Sequence, residues 1–202
     1  MKKLGKEIAL VAALVLCSGG VYAADQLLTG KKLLIKNPPA GVTKNKTVHL
    51  SKDPTITIGA AGGTGDPTCS GDGGGGGSIT LDTSGAAGDV TISLPCANWS
   101  TNNPNSLYKY KDTSKTTCNL VLVKSGKLAK AVCLGSQVNI DLQGGMDPVG
   151  VAIRLNQDRY CTSFGGTIKK DGSDDKTFLA KDAPTAGGCP ASPSGAFLDP
   201  IL

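Results

Sequence analysis

Glutamate is all but missing from this 202-residue chain: Glu7 is the only one, and it stands near the N-terminus. Histidine and tryptophan occur once each, as His49 and Trp99, and all aromatics together make up 4% of the residues. Paired glutamates for glycoside hydrolysis are therefore excluded, and the aspartates fall mainly in turns. No C-x-x-C spacing accompanies the histidine, so a zinc or haem site lacks its usual ligand groups. There is no G-x-S-x-G, and the best S-x-x-K match, Ser106-Leu107-Tyr108-Lys109, reads as a strand, on which residues three apart point to opposite faces. Sustained helical periodicity is absent outside the first 23 residues, which excludes a helical bundle.

What the N-terminus does have is the three-part pattern of a secretory leader: Lys2, Lys3 and Lys6, an apolar run from Ile8 to Cys17, and the small-residue site Val21-Tyr22-Ala23. Cleavage there would leave residues 24–202 as the mature chain. The apolar run is ten residues long, about half of what a spanning helix needs, so no membrane span is expected after cleavage. A lipid anchor at Cys17 is the weaker alternative, because Leu16 occupies the place of the small residue that such a signal requires. A pilin-type leader is disfavoured as well, since Glu7 follows Gly5 by only two positions. The expected location is periplasmic or extracellular.

The formal charge of +5 falls to +3 without the leader, with 18 basic residues against 15 acidic ones. The lysines are dispersed along the sequence and few rings are available for base stacking, so nucleic acid is not an expected partner.

Six cysteines follow the leader: Cys69, Cys96, Cys118, Cys133, Cys161 and Cys189. An even set in an exported protein reads as disulfides. A hairpin centred on the turn Ser125-Gly126 sets Cys118 opposite Cys133 at its open end, within bonding reach. The remaining pairs, Cys69 with Cys96 and Cys161 with Cys189, rest on sequence neighbourhood alone. Each would tie a Gly/Pro-rich loop to a strand.

Strand-like segments recur at 31–36, 47–51, 55–58, 78–82, 89–94, 107–111, 119–124, 127–134, 137–142, 149–155, 159–164 and 177–180. Turn signals such as Asn37-Pro38-Pro39, Asp147-Pro148 and Gly165-Gly166 separate them. Many short strands with frequent turns predict an all-β fold, an antiparallel β-sandwich of jelly-roll type stapled by disulfides. A single domain is expected over 24–202, with a flexible glycine-rich loop at 59–77 and a loose tail from about residue 190. Alternation around His49 puts Thr47, His49 and Ser51 on one face and Val48 and Leu50 on the other; the polar set, with the histidine, is expected to face solvent.

Three groups remain as candidate sites. Trp99, Tyr108 and Tyr110 could form a platform on which sugars stack, although core packing is the simpler role for large rings in an aromatic-poor chain. The acidic turn with Asp171, Asp174 and Asp175 could hold calcium, but it lacks the spacing and the closing glutamate of a calcium loop. A solvated hairpin tip explains it as well, and no other cofactor is expected. No acid, base and nucleophile set emerges.

The succession Gly30-Lys31-Lys32-Leu33-Leu34-Ile35-Lys36, Tyr108-Lys109-Tyr110-Lys111-Asp112, Gly126-Lys127-Leu128 and Tyr160-Cys161-Thr162-Ser163-Phe164-Gly165-Gly166, followed by Ala183-Pro184 and Cys189-Pro190, resembles a β-rich module that recurs in exported proteins of environmental bacteria. The likeness spans most of the mature chain, and its motifs mark strand edges, turns and cysteines. It implies export and a single domain, and brings no activity with it.

The expected function is a non-catalytic surface or extracellular module with a protein or glycan partner at the cell surface. A carbohydrate-binding accessory to a hydrolase is the alternative that the aromatic trio motivates, and a secreted enzyme of unfamiliar mechanism is the third.

Overall fold

The computed structural model describes residues 24–83, 89–103, 106–142, 146–174 and 176–191. Residues 1–23, on which the expected leader falls, Asp175 and the chain beyond 191 lie outside them. The strands are β1 (Asp25–Leu27), β2 (Gly30–Lys36), β3 (Lys46–Ser51), β4 (Gly77–Asp82), β5 (Val90–Leu94), β6 (Trp99–Asn103) and β7 (Leu107–Lys111). The second half adds β8 (Cys118–Lys124), β9 (Leu128–Leu134), β10 (Val149–Leu155), β11 (Asp158–Phe164), β12 (Thr167–Asp171) and β13 (Thr177–Ala183). Among the described residues no helix is long and apolar enough to cross a membrane.

The strands form two sheets, one of five strands in the order β1-β11-β10-β4-β5 and one of eight in the order β12-β13-β2-β3-β9-β8-β7-β6. Every described pairing is antiparallel except that of β1 with β11. The sheets enclose one apolar core and neither closes into a barrel. From the small sheet come Ile79, Leu81, Val151, Ile153 and Phe164; from the large one come Leu33, Ile35, Val121, Val123 and Phe178, all essentially inaccessible to solvent. Alternation along the strands produces this directly, since successive side chains point to opposite faces.

Two apolar segments expected as strands are not strands. Residues 55–58 and 137–142 carry the buried side chains Ile56, Val138, Ile140 and Leu142, but they enter no ladder. Their backbones are satisfied by turn and side-chain partners instead: the Gly126 N–H donates to Ile56 O at 2.7 Å, and Gln26 accepts from Thr57 N–H at 2.8 Å. Short alternation signals burial, and burial does not require a neighbour strand.

The disulfides are Cys69–Cys96, Cys118–Cys133 and Cys161–Cys189, the pairs expected. The hairpin that carries the second is built differently from a two-residue turn. Lys124 pairs with Leu128 and Val121 with Ala131, a shift of one residue, and an irregularity between Cys118 and Leu120 brings Cys118 back opposite Cys133. A bulge therefore restores the opposition of the cysteines.

The glycine-rich loop is more tightly tied than a flexible linker. Asp66 is buried and accepts from the N–H groups of Gly62 and Thr68 at 2.7 and 2.8 Å. Asn156 Nδ2 donates to Asp72 O at 2.7 Å, and Cys69 ties the loop to Cys96, just before β6. Gly75 shows why glycine stands there: its φ is +67°, and a Cβ would lie 1.8 Å from Thr68 O. The start of the expected tail is likewise anchored, because Pro190 is buried and the disulfide at Cys189 holds it to β11.

Candidate functional site

The aromatic trio lies in the core, which corrects its reading as a sugar platform. Tyr108 and Tyr110 are fully buried and Trp99 is 6% exposed. Trp99 and Tyr110 are cross-strand partners with ring centroids 5.3 Å apart in an edge-on arrangement. Trp99 Nε1 donates to Leu94 O at 3.2 Å, and Tyr108 Oη donates to Gly59 O at 3.2 Å. Burial, with the carboxylates of Asp66 and Asp158 nearby, pushes the Tyr108 phenol up to about 12. Rings placed this way supply buried area and leave no face for a ligand.

The acidic turn is occupied with its own backbone. Asp171 accepts from Ser173 N–H at 3.0 Å, and Asp174 accepts from the N–H groups of Lys176 and Thr177 at 3.0 and 2.8 Å. Those bonds hold both carboxyls below the usual range. Asp175 lies outside the described residues. Among the described residues no three His, Cys, Asp or Glu side chains gather into a group that could hold a metal ion.

His49 is the plainest correction. It is 1% exposed, with Nε2 3.0 Å from Thr162 Oγ1 and its ring edge-on to Phe164 at 5.9 Å. Burial pushes its pKa from 6.5 down to about 4. Alternation cannot say which phase of a strand faces inward; the neighbours decide. Here β3 lies between β2 and β9, and His49 is flanked by Leu33 and Ala131, both buried. A depression near the small sheet is lined by Asp147, Pro148, Ser163 and Pro184, but the one histidine is in the core rather than beside Ser163.

Inversion of β3 has a second result: Val48 and Leu50 face outward. The ladder registers align Val48 with Leu34 and Leu179 on one side and with Val132 and Leu120 on the other, an apolar row crossing five strands. All five side chains are half-buried, and none belongs to the core cluster or packs against it. Lys170 and Lys111 stand at the two ends of the row.

Lysines flank it. Two residues along the strands lies the row Lys181, Lys32, Leu50, Lys130, Leu122 and Lys109; on the other side lie Lys36, Lys46 and Leu134. No carboxylate stands in these rows. Among the described residues, the ion pairs are Lys31–Asp182, Arg159–Asp25 and Lys170–Asp174, so Lys32, Lys36, Lys46, Lys109 and Lys130 have no carboxylate within pairing distance. Lysines dispersed in sequence are gathered by the sheet onto one face.

Sequence reasoning missed this face. Alternation of lysine with apolar residues in β2 and β9 was its trace, but only the register across strands joins the pieces. No family model matches the chain, and neither a curated protein nor a solved structure is similar to it.

Proposed function

We propose that this protein is an exported, non-catalytic binding module that docks a partner on the outer face of its large sheet. The observation that carries the reading is the apolar row Leu179, Leu34, Val48, Val132 and Leu120, bordered by lysines that have no carboxylate partner among the described residues. A sheet face is normally apolar where another layer covers it and polar where it meets water. This face is apolar along its centre without belonging to the core. Three disulfides fit an oxidising compartment, in agreement with the secretory pattern of the leader and with a destination in the periplasm or outside the cell. The carbohydrate reading loses its motive, because the rings that suggested it are buried.

Lysine acetylation tests the proposal without knowledge of the partner. Labelling of each lysine is compared by mass spectrometry between the protein in the producing cells or their medium and the purified protein. Slower labelling in place at Lys32, Lys46 and Lys130, with the exposed loop residues Lys44, Lys115 and Lys127 unchanged, is the expected result. Equal labelling of both sets refutes a docking face. Turnover of an ester, peptide or glycan library that is lost on a point mutation refutes the non-catalytic reading.

A further inference from the structure

Resting on the docking face, we propose that its occupant is an acidic, amphipathic α-helix of another protein, laid across the strands along the row from Leu179 to Leu120.

Dimensions favour a helix. Five strands cover four inter-strand spacings of about 4.8 Å, so the row is roughly 19 Å long. At about 1.5 Å per residue that length corresponds to roughly 13 helical residues. The helical pitch of about 5.4 Å is close to the strand spacing, so one apolar side chain per turn can settle near each strand of the row. The lysine rows lie two residues away along the strands, about 7 Å to either side. A helix with its side chains is about 10–12 Å wide, so acidic residues on its flanks would reach both rows while its apolar stripe covers Leu34, Val48 and Val132.

Charge and composition argue against the other occupants. A second copy of the chain would bring one lysine-bordered face against another, with no carboxylate in the flanking lysine rows of either, and like charges disfavour that contact. Among the described residues the face presents no tryptophan, tyrosine or phenylalanine, the residues that stack on sugars or settle at a membrane surface; Trp99, Tyr108 and Tyr110 are all buried in the core. Phosphate-rich nucleic acid would match the lysines but leave the apolar centre against a polar backbone. An acidic helix satisfies the apolar row and the lysines together, in the manner of helix recognition by i, i+3, i+4 and i+7 anchors.

The test uses the oxidised, leader-free protein and a fluorescent 16-residue synthetic helix with leucines along one stripe and glutamates on its flanks. Controls are the same peptide with lysines for the glutamates, a glutamate peptide with its leucines scattered, and phosphatidylglycerol vesicles. The stripe-bearing glutamate peptide is expected to bind at least about tenfold more tightly than either peptide control, and to weaken about tenfold between 0.05 and 0.5 M salt. Val48→Asp, and separately Lys32→Glu with Lys130→Glu, are expected to abolish binding, while Ser93→Asp on the small sheet leaves it intact; thermal unfolding of each variant confirms that it is folded. Equal binding of the lysine peptide, binding to vesicles alone, or self-association with no peptide bound overturns the acidic-helix proposal. Should the face lysines still be protected in cells when the peptides fail, the docking face stands and its occupant belongs to another class.

Discussion

His49 and Thr162 join the two sheets through the middle of the core: imidazole Nε2 on β3 lies 3.0 Å from the hydroxyl on β11. His49 Nδ1 and the neighbouring Thr47 Oγ1 have no hydrogen-bond partner, so the imidazole is held by one polar contact and by packing. That arrangement is stable only while the ring is neutral.

Acid should therefore weaken the fold in a defined window. The folded pKa of His49, about 4, lies below its ordinary 6.5, so the unfolded chain takes up the proton first. Stability falls as pH drops from 6.5 to about 4, by up to about 3 kcal/mol from this group. Asp53 acts lower: burial would raise its pKa, but hydrogen bonds from Thr29 and Thr55 outweigh that and hold it at about 2. Its contribution is present above pH 3.8 and is lost as pH falls toward 2. Asp89 and Asp158, both raised by burial, have the opposite sign: their contribution is present below pH 3.8 and is lost as pH rises through their raised values. Urea midpoints between pH 7.5 and 4.5 measure the histidine window. Replacing His49→Leu together with Thr162→Val should flatten it, whereas an unchanged slope in the double variant would assign the effect elsewhere.

Removing the Cys118–Cys133 bond by alanine at both positions should cost about 3 kcal/mol in the chain-entropy account, given a sequence separation of 15 residues. Calorimetry of the oxidised parent against the double variant gives the value. A loss below about 1 kcal/mol would mean that the hairpin is already ordered in the unfolded chain.

Gly75→Ala should destabilise by about 3 kcal/mol, because the new methyl would be driven into Thr68 O and the backbone is left-handed there. Gly187→Ala, where a Cβ meets nothing within 4 Å, is the matched control and should be near neutral. Chemical denaturation of the pair decides whether the glycine run is a fitted segment or a tolerant linker.

Tyr110→Ala should lower stability by about 3–5 kcal/mol, as large aromatic truncations in cores do. Tyr110→Phe should cost about 1 kcal/mol through the lost contacts of its hydroxyl with Asn98 and Thr117. A stable Tyr110→Ala protein that had lost retention on a glycan array would restore the sugar-platform reading.

Fold class and ten of the strands were legible because they rest on local order, alternation and turn chemistry; of the cysteine pairs, Cys118–Cys133 was legible in the hairpin and the other two only as neighbours in sequence. Strand β6 escaped because Trp99-Ser100-Thr101-Asn102-Asn103 has little apolar alternation and is held to β7 by pairing. The three-residue β1 escaped because its partner, β11, is remote in sequence, and β12 because Thr167–Asp171 holds a single apolar residue, Ile168. Phase was the harder quantity. Nothing within residues 46–51 tells whether Val48 or His49 faces inward; Leu33 and Ala131 decide it, and they arrive from other strands. The docking face was hidden for the same reason, since Leu179, Leu34, Val48, Val132 and Leu120 come together only across the ladder.

Strand order also sets when this architecture can form. The first strand must wait for residues 159–161 before it has anything to pair with, and β2 is covered on one side only when residues 177–183 have emerged. Pairings this distant are slow to close, so a growing chain stays unfinished until almost its whole length has been made. Any polypeptide that has to be threaded through a membrane would stay threadable for as long as such a delay lasts.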